Sequence, residues 1–193
     1  AMAVVGMEGA TSINVAMIDG AAVLYDKTIS LTPVPSQSGL WYWLFGQKEE
    51  RTEAKFFDMP TYPTANIRLS VSGTANLAIG AIAIGNISNF GEYVLSGARV
   101  GFQDWSRRER DDFGVFDIVE RPFSDWASFD LILKKSEVDA IKKFVLKRRS
   151  KPSVWIGSAH YESTTVYGFV KDFEVVISWP DFSECKIMLE GIV

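Results

Sequence analysis

A chain of 193 residues, 47% hydrophobic and 23% charged, has the composition of a globular protein, with room for one large domain or two of about 90 to 100 residues. Twenty basic against 24 acidic residues leave a net charge of −4, so the overall field draws in neither nucleic acid nor anionic lipid. One histidine, His160, and one cysteine, Cys185, exclude a four-ligand Cys/His zinc site and an intrachain disulfide.

No apolar stretch reaches the roughly 20 residues that cross a bilayer as a helix, so no membrane insertion is expected. The start, Ala1-Met2-Ala3, lacks the layout of a signal peptide and reads as a cloning remnant or the cut edge of a longer sequence.

In chain order, 12–18 and 22–29 alternate or are β-branched and read as strands, joined at Asp19-Gly20, a dipeptide suited to a tight hairpin. Pro33, Pro35, Pro60 and Pro63 mark loops around 40–57, which holds Trp41, Tyr42, Trp43 and Phe45 and then a charged run. Residues 66–72 read as another strand. The dense apolar run 77–87, interrupted by Gly80 and Gly85, reads as a buried strand pair or one kinked strand. A boundary is expected within 88–97, giving domains 1–95 and 96–193.

Beyond it, 98–103 and 115–120 look like the arms of a long hairpin around the charged loop 104–112, where Arg107, Arg108 and Arg110 sit among four acids. Residues 128–133 read as a strand. Ser136, with Asp139 three residues on, predicts a capping box opening the one helix. Val138, Ile141 and Val145 form its apolar face, and Lys142, Lys143, Lys147, Arg148 and Arg149 its cationic surface. Lys151-Pro152 ends it. Strands follow at 153–156, 165–170 running into 173–177, and 184–189. Phe173, Val175 and Ile177 share one face, as do Cys185, Ile187 and Leu189. Trp155 and Trp179 are expected to pack internally. The fold expected is mainly β: two β-sandwich-like halves, the first jelly-roll-like, the second with one α-helix on its sheet.

Few residues are equipped for chemistry. His160 lies in a polar stretch without the strained G-x-S-x-G turn of a hydrolase nucleophile. Asp104, Glu109, Asp111 and Asp112 are interleaved with arginines, whereas a general acid needs an apolar pocket to raise its pKa. No phosphate-binding, dinucleotide or calcium motif is present, so neither cofactor nor metal is expected and the chain reads as a non-enzyme. The aromatics Trp41, Tyr42 and Trp43 are candidates for stacking on a sugar or anchoring an interface. Arg107, Arg108, Arg110, Lys147 and Arg148 are candidate assembly contacts.

Five motifs carry a resemblance: 104–114 (DWSRRERDDFG), 118–123 (IVERPF), 152–158 (PSVWIGS), 166–169 (VYGF) and 189–192 (LEGI). With the hairpin around 12–26 and the glycine-punctuated 79–85 before them, the chain resembles tail proteins of tailed bacteriophages and prophages over nearly its whole length. At the level of fold, 128–156 is also similar to distal-tail and tail-tube proteins. The resemblance implies a tail-tip or baseplate component of the virion, assembling with itself and other tail proteins and contacting host surface carbohydrate. It also implies that relatives carry further sequence before the region present here. A carbohydrate-binding adhesion module and a surface-polymer-degrading enzyme are the alternatives from other functional classes.

Overall fold

The structure, a computed structural model, describes residues 1–32, 51–91, 93–110, 113–158, 161–177 and 180–192 and divides into two compact units, Ala1–Ile87 and Ser88–Val193. It is mainly β with one helix, the class the sequence predicts. The division falls at 87/88 and not at 95/96, because the strand beginning at Tyr93 is hydrogen-bonded into the sheet of the second unit.

The first unit is one antiparallel sheet of β1 (Met2–Asp19), β2 (Ala22–Ser30), β3 (Ala54–Phe56) and β4 (Asn66–Ile84). Residues 12–18 of β1 pair with both β2 and β4, and residues 2–4 pair with both β3 and β4. A strand has two edges, so β4 occupies one edge of β1 while β2 and β3 share the other. The β1–β2 turn is the expected one: Asp19 pairs with Ala22, and Gly20 takes the left-handed conformation (φ +60°) that a side chain would oppose.

The core of this unit is written along β1 in an irregular rhythm. Met2, Val4, Met7, Ala10, Ile13, Val15 and Met17 all join one buried cluster with Leu31, Ala54, Phe56 and Met59. Their spacing is two residues, as a strand requires, except for steps of three across Gly6, Gly9 and Thr11. Gly6 and Gly9 have positive φ, and the register with β4 shifts on either side of Ala10. A Cβ on Gly9 would lie 2.5 Å from Thr74 Oγ1 and 2.9 Å from the Asn76 carbonyl oxygen, so the two strands touch where the ribbon is bulged. Full burial of Phe56 or Ile13 contributes about 1.5–3 kcal/mol each.

The run 77–87 is neither a strand pair nor buried. Residues up to Ile84 are the second leg of β4, paired with Met2–Glu8 of β1, and Leu77, Ile79, Ile82, Ile84 and Ile87 are exposed.

In the second unit β5 (Tyr93–Asp104), β8 (Phe123–Lys134), β11 (Phe182–Gly191), β10 (Thr165–Val176) and β9 (Ser153–Ile156) lie side by side in that order, all antiparallel. β6 (Arg107–Arg110) and β7 (Phe116–Val119) form a separate two-stranded ribbon. The long hairpin expected between 98–103 and 115–120 therefore does not form. β5 pairs with β8, and the charged stretch between them makes its own smaller hairpin.

Alternation on β11 reads through correctly. Cys185, Ile187 and Leu189 are buried and face Leu131, Phe129 and Ala127 of β8. On β10, Phe173 and Val175 pack beside them, but Ile177 lies past the end of the strand and is 77% exposed.

The helix, α1 (Val138–Arg148), lays Ile141 and Val145 onto Leu133 and Cys185, flanked by Phe173 and Val175. Its expected capping box is absent: Ser136 sits in the preceding turn, and the N-cap is Glu137 in a helical conformation with no side-chain cap. Glu137 ties the turn instead, its amide donating to the Lys134 carbonyl (2.9 Å) and its carboxylate accepting from the Lys134 amide (3.3 Å). Trp155 is half-buried against the β8–β11 core, edge-on to Phe144 of α1. Trp179 lies outside the described residues.

Candidate functional site

The β6/β7 hairpin is the most exposed structured element of the second unit: all eight residues of its two strands face solvent. Register assigns its faces. Arg107 pairs with Val119 and Glu109 with Asp117 on one side; Arg108 pairs with Ile118 and Arg110 with Phe116 on the other. On the first face Arg107 and Glu109 form an ion pair at 2.5 Å. On the second, the Arg110 guanidinium rests 4.5 Å from the centre of the Phe116 ring, and Ile118 is 63% exposed beside it. Arg108 reaches back to Asp104 in an ion pair.

The base of the hairpin is fastened to the sheet. The Ser106 amide donates to Asp104 Oδ1 (2.9 Å), the Arg121 amide donates to Ser106 Oγ (3.0 Å), and the Trp105 indole N–H donates to Ser124 Oγ (3.2 Å). Bonds from Ser106, with the Arg108 charge a smaller influence, hold the Asp104 carboxyl below its usual pKa. Phe102 and Phe123 pack edge to face at 6.0 Å just beneath, both more than half exposed. Trp105, Phe113, Val115 and Phe116 are exposed as well, so large apolar side chains accompany both the base and the tip of an Arg-bearing ribbon, the mixture found at the centre of protein interfaces.

The structure does not bring together all the assembly candidates. Arg107, Arg108 and Arg110 belong to the hairpin, which precedes β8, whereas Lys147 and Arg148 belong to α1, which follows it. The hairpin leads into the Phe123 end of β8, whereas α1 follows its Lys134 end and packs Ile141 and Val145 on Leu133. Lys147 and Arg148 are exposed in the last turn of α1, where they complement the negative end of the helix dipole, and Arg148 lies 5.8 Å from the Phe144 ring. Trp41, Tyr42 and Trp43 lie outside the described residues, as do His160, Asp111 and Asp112.

Reasoning from sequence missed Phe102, Phe113, Phe116, Ile118 and Phe123. The available signal was their density around a stretch too charged to enter a core.

Nothing described gathers catalytic groups. Burial pushes the Cys185 thiol up to about 11, which keeps it protonated and inert, and its side chain is covered by α1. Among the described residues no three His, Cys, Asp or Glu side chains converge as metal ligands, and no helix is long and apolar enough to cross a membrane. A wide-open depression of about 490 Å³ is lined by Lys134, Lys135, Ser136, Asp181 and Phe182, and a smaller cleft lined by Gln103, Ser124, Trp126, Lys171, Met188 and Glu190 encloses about 140 Å³. Comparison with known proteins assigns no family: no family model matches the chain, and no curated protein matches it.

Proposed function

We propose that the chain is a non-enzymatic structural component of a bacteriophage or prophage tail tip or baseplate, working in the virion by assembly with itself and with other tail proteins. The observation that carries this reading is the fastened hairpin of β6 and β7, whose eight strand residues are all exposed, with the exposed rings of Phe102, Trp105 and Phe123 at its base. A monomer gains nothing from holding that much aromatic surface in water, and solvation of such a patch is relieved when a partner covers it. The arginines give the contact register and orientation, and the rings supply its affinity. Motif order along the chain supports the phage-tail class of partner, since it resembles tail proteins from the first hairpin to the closing 189–192.

The test is to mix the chain with the other tail proteins of the phage that encodes it and weigh the complexes by light scattering. A defined complex with at least one of them, lost in Phe116→Glu/Ile118→Glu, is expected. Failure to bind any of them, or turnover of cell-wall or capsule polymer by the chain, overturns the reading.

A further inference from the structure

The outer edge of β4 is a second surface, in the other unit, that offers backbone as well as side chains. β4 is 19 residues long and among the described residues pairs only with β1, so its far edge carries a row of N–H and C=O groups outside any ladder. Edge strands are ordinarily guarded by charge, proline or brevity. β4 is long and carries a single charge, Arg68, near its start: the 23 residues 69–91 contain no Asp, Glu, Lys, Arg or Pro. The opposite edge of the same sheet is guarded, because β2 carries Asp26, bonded by Asn14 Nδ2 at 2.6 Å, and Lys27, paired with Asp58 at 2.8 Å.

The core also runs out to this edge. Ile79, Ile82 and Ile84 stand directly opposite Met7, Val4 and Met2, so each shares a sheet face with a residue of the buried cluster. Met7, Val4 and Met2 are at most 3% exposed, whereas Ile79, Ile82 and Ile84 are 36%, 48% and 61% exposed. Among the described residues, the sheet stops one strand short of covering its own apolar face.

We propose that a second copy of the chain supplies that strand, its β4 pairing antiparallel with this one across a two-fold axis. An antiparallel edge is its own hydrogen-bond complement, and a two-fold contact requires a surface that can meet itself. With no charge in the strand beyond Arg68, no like charges meet across the axis along its uncharged length. Nineteen residues at about 3.3 Å span about 60 Å, and a contact about 10 Å wide covers about 600 Å² per copy before the isoleucines are counted, close to the roughly 800 Å² of a standard interface. Head-to-tail pairing on β2 would instead bury Asp26 and Lys27 against an uncharged strand, which costs their hydration.

The inference concerns the first unit and stands whether or not the tail reading does. It is tested by light scattering and hydrogen exchange on the full chain. Wild type is expected at twice the 21.5 kDa chain mass, with slow amide exchange in 78–84 that quickens on dilution. Ile82→Lys/Ile84→Lys, at half-exposed positions, should weaken the dimer about 100-fold with the far-UV circular dichroism unchanged. Ala78→Lys, on the exposed face of the same leg, should do the same if the isoleucine variant folds poorly. A wild-type monomer at all concentrations, or a dimer indifferent to these lysines, overturns the proposal. A dimer dissociated by Phe116→Glu/Ile118→Glu but not by the β4 lysines also overturns it, and leaves the hairpin reading intact.

Discussion

The free edge of β4 and the β6/β7 hairpin both hold apolar side chains in water, by opposite means. β4 lacks charge along its outer half, has a backbone edge open among the described residues, and extends the face of a buried core. The hairpin has its backbone paired, alternates arginine and acid with Phe and Ile, and is fixed to its sheet by Asp104, Ser106 and Trp105. The first surface suits extension of a sheet by a like strand, and the second suits a partner read by side chains. Their chemistry predicts different sensitivities, which can be separated by experiment.

The largest effect should come from the buried scaffold beneath the first surface, set against an exposed ring of the second. Phe56→Ala removes a fully buried ring from the β1 core and should cost the first unit about 3–5 kcal/mol in denaturant melts. Phe116→Ala removes an exposed ring and should change stability by less than about 0.5 kcal/mol while abolishing partner binding. If Phe116→Ala melts the second unit instead, the ring is structural and the contrast between the surfaces fails.

Gly9→Ala comes next. It places a Cβ at φ +65° against Thr74 and Asn76, and should cost at least about 1–2 kcal/mol for the left-handed conformation alone, read as a lowered urea midpoint.

Salt separates the surfaces more gently. Raising ionic strength from about 0.05 to 0.5 M shortens the Debye length from about 14 to 4 Å, so association through the arginine hairpin should weaken several-fold while β4 pairing holds or tightens. Equal salt dependence in the two would erase the distinction.

The smallest effect is a pH limb confined to the first unit. Burial, then the hydrogen bond to Asp58, raises the Tyr25 phenol to about 12. The neutral phenol is thus favoured in the folded chain. Its contribution is complete below the ordinary tyrosine value of about 10 and is lost as pH rises from there to about 12. Asp58 moves the other way, held down first by its bond from Lys27 and then by that from Tyr25, so its contribution holds above about 4 and fades on acidification. Tyr25→Phe should remove the alkaline limb from a stability-against-pH curve and leave the Lys27–Asp58 pair in place.

Much of the fold was readable where one rule acts alone. β11 alternates Cys185, Ile187 and Leu189 without interruption, and the structure buries all three. The Asp19-Gly20 turn was readable because it needs a positive φ that few residues tolerate. The first half of β1 was not, since Gly6 and Gly9 reset the alternation and leave core residues two and three apart in turn. Isoleucines 79, 82 and 84 suggested burial by composition, but burial depends on a neighbouring strand, and β4 lies at an edge. The strands 107–110 and 116–119 gave no amphipathic period because all eight of their residues face solvent; the arginines were legible as surface residues, the exposure of the rings only from the structure.

What the tail proposal chiefly requires is that the exposed rings are covered in an assembled tail. Hydroxyl-radical footprinting of the isolated chain and of purified virions, read by mass spectrometry over 102–123, compares the two states directly. The account predicts that Phe102, Trp105, Phe116 and Phe123 are strongly oxidised in the isolated chain and protected several-fold in the virion. Equal oxidation in both, or virions that lack the chain, would contradict it.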